Sequence, residues 1–294
     1  MKRDVDVDEL SYSGKGKFHL DERPHRVDDL YDDKADYEAR IAEQVSQLDD
    51  LQSMMYAHDR YAMLIIFQAM DAAGKDSTIA HVMRGVNPHG VKVHAFKKPS
   101  SEELDHGFLW RTNRAMPERG RITIFNRSYY EEVLVTKVHP EIITKYQRLP
   151  VDRSEDLDQL FEQRYEAIRH LEQYLHDNGT IVVKFFLNVS RDEQRERFIS
   201  RIDEPEKNWK FSEADVAERA HWPKYMRAYE DCIRATSTRH APWYVIPADD
   251  KKNMRLMVSE VILARLRALD LHWPEVSDAR RAELQTFRAR LEAD

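Results

Sequence analysis

The chain has 294 residues, 41% hydrophobic and 34% charged, with a net charge of −7, enough for a large core under a well-solvated surface. A single cysteine, Cys232, excludes an internal disulfide and fits a reducing compartment. No apolar run reaches the ~18 residues of a membrane span, and the start of the chain lacks the apolar stretch of a signal peptide, so the expectation is a soluble cytoplasmic protein with no membrane partner.

Residues 1–28 show no periodicity and are expected to form an arm or a packed-down extension. From Leu30 to Tyr56, apolar residues at Tyr37, Ile41, Val45, Leu48, Leu51 and Met55 recur every three or four positions. That spacing predicts an amphipathic helix, with its stripe packed on a sheet. Ala62–Gln68 is a short, continuous apolar run, the pattern of a strand buried on both faces. It stops at Ala69-Met-Asp-Ala-Ala-Gly-Lys-Asp-Ser77, where small residues lead into a predicted helix. A strand, a tight turn and a helix N-terminus make a phosphate cradle, because backbone N–H groups and the helix dipole face the anion and a lysine adds a point charge. The match to the Walker A pattern is imperfect: Ala69 replaces the first glycine, and Asp76 replaces the Ser or Thr that binds magnesium.

Further strand–helix units follow. Val91–Phe96 alternates as a strand does, and Ser100 with Glu103 has capping-box spacing for a helix to about Arg114. Arg121–Phe125 is the next predicted strand, and Ser128 with Glu131 again has capping-box form. Ser154 is expected to start a long helix bearing Leu157, Phe161, Ile168, Leu171 and Leu175, ended by Asn178-Gly179. Thr180–Leu187 is the clearest strand, with Ser190 capping the helix after it. Residues 201–240 are charged and broken by Pro205; two short helices, Ser212–His221 and Pro223 to about Thr236, are expected there. A charged helical insertion before the last strand, Trp243–Ile246, suits a lid that excludes water from a phosphotransferase site. Met254, Met257, Val261, Ile262 and Leu269 mark a long buried helix, and Leu284, Phe287 and Leu291 a short stripe for docking on the domain or on another subunit. Cys232 shares a helix face with Tyr225 and Tyr229, as a packing residue would.

Alternating strands and helices predict an α/β fold, a parallel sheet with helices on both faces. The expected division is an arm and packing helix over 1–60, a core over 61–270 with a lid at about 201–240, and a helical tail over 271–294. Ligands of such sheets sit at the carboxyl ends of the strands, where Asp71, Lys75, Lys97, Lys98, Asn126 and Arg127 fall. Residues 1–60 carry nine Lys and Arg against sixteen Asp and Glu, whereas residues 70–128 carry ten against six. A basic segment around a phosphate loop in an acidic protein points to a polyanionic ligand rather than to nucleic acid. Phosphoryl transfer needs cations for the non-bridging oxygens and carboxylates for a metal, and Lys75, Arg127 and Asp71 are of those types.

These residues resemble the polyphosphate kinase 2 family. The resemblance runs through Gln68-Ala-Met-Asp-Ala-Ala-Gly-Lys-Asp76, Gly85-Val-Asn-Pro-His-Gly90, His106-Gly-Phe-Leu-Trp-Arg111, Phe125-Asn-Arg-Ser-Tyr-Tyr-Glu-Glu-Val133 and Ala241-Pro-Trp-Tyr-Val-Ile-Pro-Ala-Asp-Asp-Lys251. It implies a P-loop kinase fold similar to thymidylate kinase, with a helical lid. It also implies phosphate transfer between inorganic polyphosphate and the adenine nucleotides AMP and ADP, with Mg2+ or, in its place, Mn2+. By position, Asp71 would hold magnesium or assist the attacking phosphate, Lys75 would bind the transferred group and Arg127 would neutralise charge beside it. The loop residues Ala72, Ala73, Gly74, Asp76 and Ser77, with Lys97, Lys98 and Asn126, would line the phosphate path, and Arg201, Lys207 and Lys210 would close on it from the lid. Two departures stand out. Many members carry Asp where this chain has Asn126. Glu131 stands where the nucleoside-diphosphate branch tends to carry Asn, and an acidic residue there resembles the branch that accepts AMP and ADP. The alternatives are a kinase acting mainly on ADP or GDP, an ATP-dependent nucleotide kinase, and a silent binding protein. A homo-oligomer, dimer or tetramer, is the expected assembly.

Overall fold

The computed structural model describes residues 4–294; Met1, Lys2 and Arg3, the start of the expected arm and of the stretch read for a signal peptide, lie outside the described residues. Six strands form one sheet: β1 (Ser11–Tyr12), β2 (Ala62–Gln68), β3 (Val91–Ala95), β4 (Ile122–Asn126), β5 (Thr180–Asn188) and β6 (Trp243–Pro247). Their order is β1-β6-β5-β2-β4-β3, with β2 to β6 parallel and only β1 antiparallel. Every residue of β2, β4, β5 and β6 is buried, whereas the edge strand β3 is partly open. This is why the central strands appear in the sequence as apolar runs and β3 as an alternating one.

Nine longer helices accompany the sheet: α1 (Lys34–His58), α2 (Lys75–Val82), α3 (Glu131–Val138), α4 (Leu157–Asp177), α5 (Arg191–Asp203), α6 (Glu213–Glu218), α7 (Trp222–Thr236), α8 (Lys251–Arg267) and α9 (Asp278–Ala293). One layer gathers α1 and α2 around α8, which rests on β5 and β6; the other packs α3, α4 and α7 together with α4 on β5. The expected seat of the first helix on the sheet needs correction, because α1 runs along α8 and reaches the core through Leu48 and Met55.

Three other local expectations differ. The capping box at Ser100 and Glu103 is present, but the helix it starts ends at Leu104 and resumes only over Trp110–Asn113. Gly107 lies in the gap, and the His106 ring stacks on Trp110 at 3.9 Å across it. The long helix starts at Leu157 under an Asp156 cap, with Ser154 closing a separate turn before it. Ser128 does not cap α3: its hydroxyl accepts from Gln68 Nε2 and from the Tyr130 N–H, which leaves the Glu131 side chain to the site below.

Within the expected lid, α7 is an integral part of the core, burying Tyr225, Ala228, Tyr229, Cys232 and Ile233. Residues 204–221 contain no buried residue. The tail helix α9 is exposed along its whole length, Leu284, Phe287 and Leu291 included. Among the described residues no helix is long and apolar enough to cross a membrane.

Candidate active site

Strand β2 ends at Gln68, and α2 begins at Lys75 with Gly74 as its N-cap at φ 106, a backbone region that glycine enters without steric cost. Ala72 has φ 60, a left-handed value that costs an alanine roughly 1–2 kcal/mol. The surroundings hold the turn in this state. Arg197 on α5 is buried and donates to the carbonyls of Ala73 at 2.6 Å and Ala72 at 3.2 Å, and Gln194 donates to that of Asp71 at 2.8 Å. The second guanidinium nitrogen of Arg197 reaches Ala248 O at 2.6 Å, joining the turn to the end of β6.

Lys75 is buried under this turn and donates to Ala69 O at 2.8 Å and Met70 O at 3.3 Å. Burial pushes its pKa down, against the pull of the Asp71 carboxylate. At the end of β4, Asn126 donates to Asp76 at 2.6 Å, and Arg127 Nη2 donates to Asp71 at 2.7 Å. Arg127 has φ 62 and also faces Glu131 at 3.8 Å. Burial works against its charge, but the carboxylates of Glu131 and Asp71 outweigh it and raise its pKa. For Glu131 burial dominates and raises the pKa, while Arg127 and Lys75 pull it down.

Two cavities meet here. The larger, about 800 Å³, is a groove over the loop lined by nine Lys and Arg side chains against three carboxylates, those of Asp71, Asp76 and Asp215. Ala72, Ala73, Gly74, Ser77, Asn126, Lys97 and Lys98 line it from the sheet side, and Arg201, Lys207 and Lys210 from the segment beyond α5. In that segment Arg201 faces Asp215 at 3.7 Å, Lys207 pairs with Glu204, and Lys210 lies 4.9 Å over the Trp209 ring. The second cavity, about 540 Å³, is walled by Met70, Val135, Ile142, Tyr146, Tyr225 and Tyr229, with Arg111, Glu131, Glu132, Thr136, His139, Glu141 and Glu218 among its polar groups. Both cavities are lined by Asp71, Lys97, Lys98, Arg127 and Asp215. Of the site residues expected from the sequence, Glu131 alone faces the second cavity and not the groove.

An elongated polyanion matches the groove, and a mixed apolar and polar pocket matches a compact organic group carrying charge at one end. Asp71 and Asp76 present oxygen donors beside Lys75, and hard divalent cations of the magnesium type bind to one or two carboxylates plus substrate phosphates. The residues present therefore fit such a metal. Among the described residues, the His/Asp/Glu cluster with metal-ligand spacing is His19, Asp21 and Glu230, outside both cavities.

The polyphosphate kinase 2 family model matches residues 31–272. The chain belongs to the polyphosphate kinase 2 family. An ADP-polyphosphate phosphotransferase of Rhodopseudomonas palustris is 54% identical over 280 residues, covering 95% of this chain and 96% of the relative. An AMP/ADP-polyphosphate phosphotransferase of Meiothermus ruber is 42% identical over 79% of this chain and 82% of the relative. The crystal structure of polyphosphate kinase 2 from Arthrobacter aurescens superposes with a TM-score of 0.84 at 38% identity, covering 95% of this chain and 96% of that one. The fold is accordingly the P-loop kinase fold of this family.

Three groups at the family site escaped the sequence reading. Arg197 and Gln194 brace the loop, and Lys251 lines the groove. Neither a motif nor a charge run marks Arg197 or Gln194, and Lys251 ends the family-like stretch 241–251 without having been read as a site residue. The one available signal was the basic start of the last buried helix, directly after Ala248-Asp-Asp250.

Proposed function

We propose that this protein transfers the terminal phosphate of inorganic polyphosphate to ADP and to AMP, with a divalent cation, Mg2+ or Mn2+. The observation that carries this is the meeting of the two cavities at Asp71 and Arg127. The cationic groove suits the polyphosphate chain, and the apolar pocket suits the nucleoside end of the acceptor. Their shared residues are where the acceptor phosphate oxygen would attack the terminal phosphorus of the donor. A new P–O bond forms there as the bond to the next phosphate breaks, and a shortened polyphosphate leaves.

Lys75, Arg127, Lys97 and Lys98 would neutralise the phosphate oxygens, and Asp71, backed by Asp76 and Asn126, would hold the metal. When bound, the metal supplies positive charge that lets two polyanions approach. The α2 N-terminus adds its backbone N–H groups to the cradle. Residues 204–221 would form the lid, bringing Lys207 and Lys210 over the groove, a smaller unit than the expected 201–240. The protein would work in the cytoplasm, and the exposed stripe of α9 would join subunits in a homo-oligomer.

The test is a matrix of donors (polyphosphate, ATP) and acceptors (AMP, ADP, GDP) with Mg2+ or Mn2+, with products resolved by chromatography. Polyphosphate-dependent ATP formation from ADP and ADP formation from AMP is the expected outcome. No turnover with polyphosphate refutes the proposal, and turnover with ATP alone assigns an ordinary nucleotide kinase. A second reading, ADP as the only acceptor, has the name of the 54% identical relative, an ADP-polyphosphate phosphotransferase, in its favour. Glu131 in the second cavity, 3.8 Å from Arg127, supports the broader one, since it would lie beside the acceptor phosphate.

A further inference from the structure

Arg127 and Glu131 stand at the two ends of a short turn, and the residues between them point away from the cavities. Tyr129 and Tyr130 are wholly buried, and both hydroxyls donate to one oxygen of Glu172, at 2.9 and 2.7 Å. The other oxygen of Glu172 accepts from Lys184 Nζ at 2.7 Å, and Lys184 also donates to Tyr130 Oη at 3.1 Å and to Thr236 O at 2.8 Å. Lys184 and Glu172 have no exposed side-chain surface. The lysine sits in the middle of β5, the glutamate on α4, Thr236 at the end of α7; the Trp243 ring of β6 closes the cluster 4.7 Å from that of Tyr130.

A buried ion pair is poor value for stability, since apolar residues of similar volume often serve as well or better. What it supplies is direction. Three hydrogen bonds fix the outer ends of two aromatic side chains, and so the turn that carries them. That turn needs fixing, because Arg127 occupies a left-handed backbone state that persists only where the surroundings over-determine it. The Arg127 N–H donates to Phe67 O at 3.0 Å and Gln68 holds the Ser128 hydroxyl at 3.2 Å, which secures the start of the turn. The two tyrosines secure its end.

We propose that the Lys184–Glu172 pair is a positioning device for the reaction, holding Tyr129 and Tyr130 so that the Arg127 guanidinium stands at the junction of the two cavities and the Glu131 carboxylate in the second cavity beside it. The inference rests on the phosphotransferase reading and deepens it. Neither residue touches a cavity, so the pair acts through the tyrosines and the turn. A displacement of about 1 Å at the reacting centre lowers turnover on the order of 100-fold.

The experiment replaces the cluster with an apolar one, Tyr129→Phe/Tyr130→Phe/Glu172→Leu/Lys184→Met, so that none of the four side chains keeps an unpaired buried polar group. The variant is expected to melt near the unsubstituted protein, to keep its polyphosphate KM, and to lose at least about ten-fold in kcat. A folded variant with unchanged kcat, or one whose loss lies in the polyphosphate KM, overturns the inference. Should the variant not fold, Tyr130→Phe decides at a temperature where it is fully folded, with the same kcat loss against unchanged KM expected and an unchanged kcat overturning it. The unsubstituted protein in the same assay reports on the phosphotransferase reading separately. If it does not turn over polyphosphate, that reading fails, and ADP affinity by calorimetry decides: a fall of about ten-fold in the variants supports displacement of Arg127, and equal affinity overturns it.

Discussion

Asp71→Asn separates the chemical from the structural role of the loop. The carboxylate accepts from Arg127 at 2.7 Å, with the two side chains 30% and 39% exposed. Solvent screens a pair that open, so its contribution to stability is below about 1 kcal/mol. The amide of Asn occupies the same space and still offers an oxygen to Arg127. The loop backbone stays held, since Gln194 and Arg197 bind main-chain carbonyls that the substitution does not touch. Melting is therefore expected to shift by no more than about 4 °C for a chain of this size. Turnover responds differently, because losing an anionic oxygen that holds a metal or orients the attack removes about 3–4 kcal/mol of transition-state stabilisation, or roughly 100- to 1,000-fold in rate. The assay is ATP formation from polyphosphate and ADP, paired with a thermal melt of the same preparation. Turnover within about three-fold of the unsubstituted protein would refute the reasoning, and so would a rate loss accompanied by a melting shift above about 10 °C.

Lys75→Met is expected to abolish measurable phosphate transfer while leaving the fold intact, because burial disfavours the ammonium and methionine fills the same space; steady-state kinetics and a melt check this. Glu131→Gln has a consequence for pH. Burial raises the Glu131 pKa in the folded chain, so the folded state favours the proton, and the native protein loses stability as pH rises from the ordinary glutamate range through the raised value. The glutamine variant lacks that loss, so the two melts should coincide in acid and separate in the variant's favour toward neutrality. An unchanged gap across the range would contradict the burial effect. The same variant is expected to depress AMP use more than ADP use, read as the ratio of kcat/KM. Raising the salt concentration should weaken polyphosphate KM more than ADP KM, since the groove holds nine cationic side chains and the pocket relies largely on apolar walls.

The sheet was legible wherever a strand is buried on both faces. Ala62–Gln68 and Thr180–Asn188 are continuous apolar runs because helices cover both of their sides. The tight turn between β2 and α2 was legible because small residues followed by Gly-Lys have a local, backbone reason to sit there. Capping signals were less dependable. Ser100 and Glu103 form the box that their spacing promises, whereas Ser128 spends the same chemistry on Gln68 and on the Tyr130 N–H. Sequence spacing shows only that a hydroxyl and a carboxylate are in register, not which partner from another strand reaches them first. Arg197 illustrates the same limit. It sits on a charged helix four residues after Glu193, like an ordinary surface pair, yet it is buried because its guanidinium reaches four carbonyls of two other segments. Lys184 went unread as well, although a lysine at the centre of an otherwise apolar strand must find a partner when buried.

The grip of Arg197 and Gln194 on the phosphate turn also decides which parts of the molecule can swing. Helix α5 is pinned at its middle to main-chain atoms of the turn and of the segment after β6, and α7 is sunk among α3 and α4. Neither can tilt without dragging the sheet's carboxyl edge with it. The pivots of the proposed lid would therefore fall at the two ends of the exposed stretch, at Glu204, where the chain leaves α5 in an extended conformation, and at His221, the residue before α7. If the proposed lid closes, the sixteen residues between them would turn like a hatch, releasing the Arg219 bonds to Arg191 O and Gln194 Oε1, while the turn after β2 would stay still as the sill.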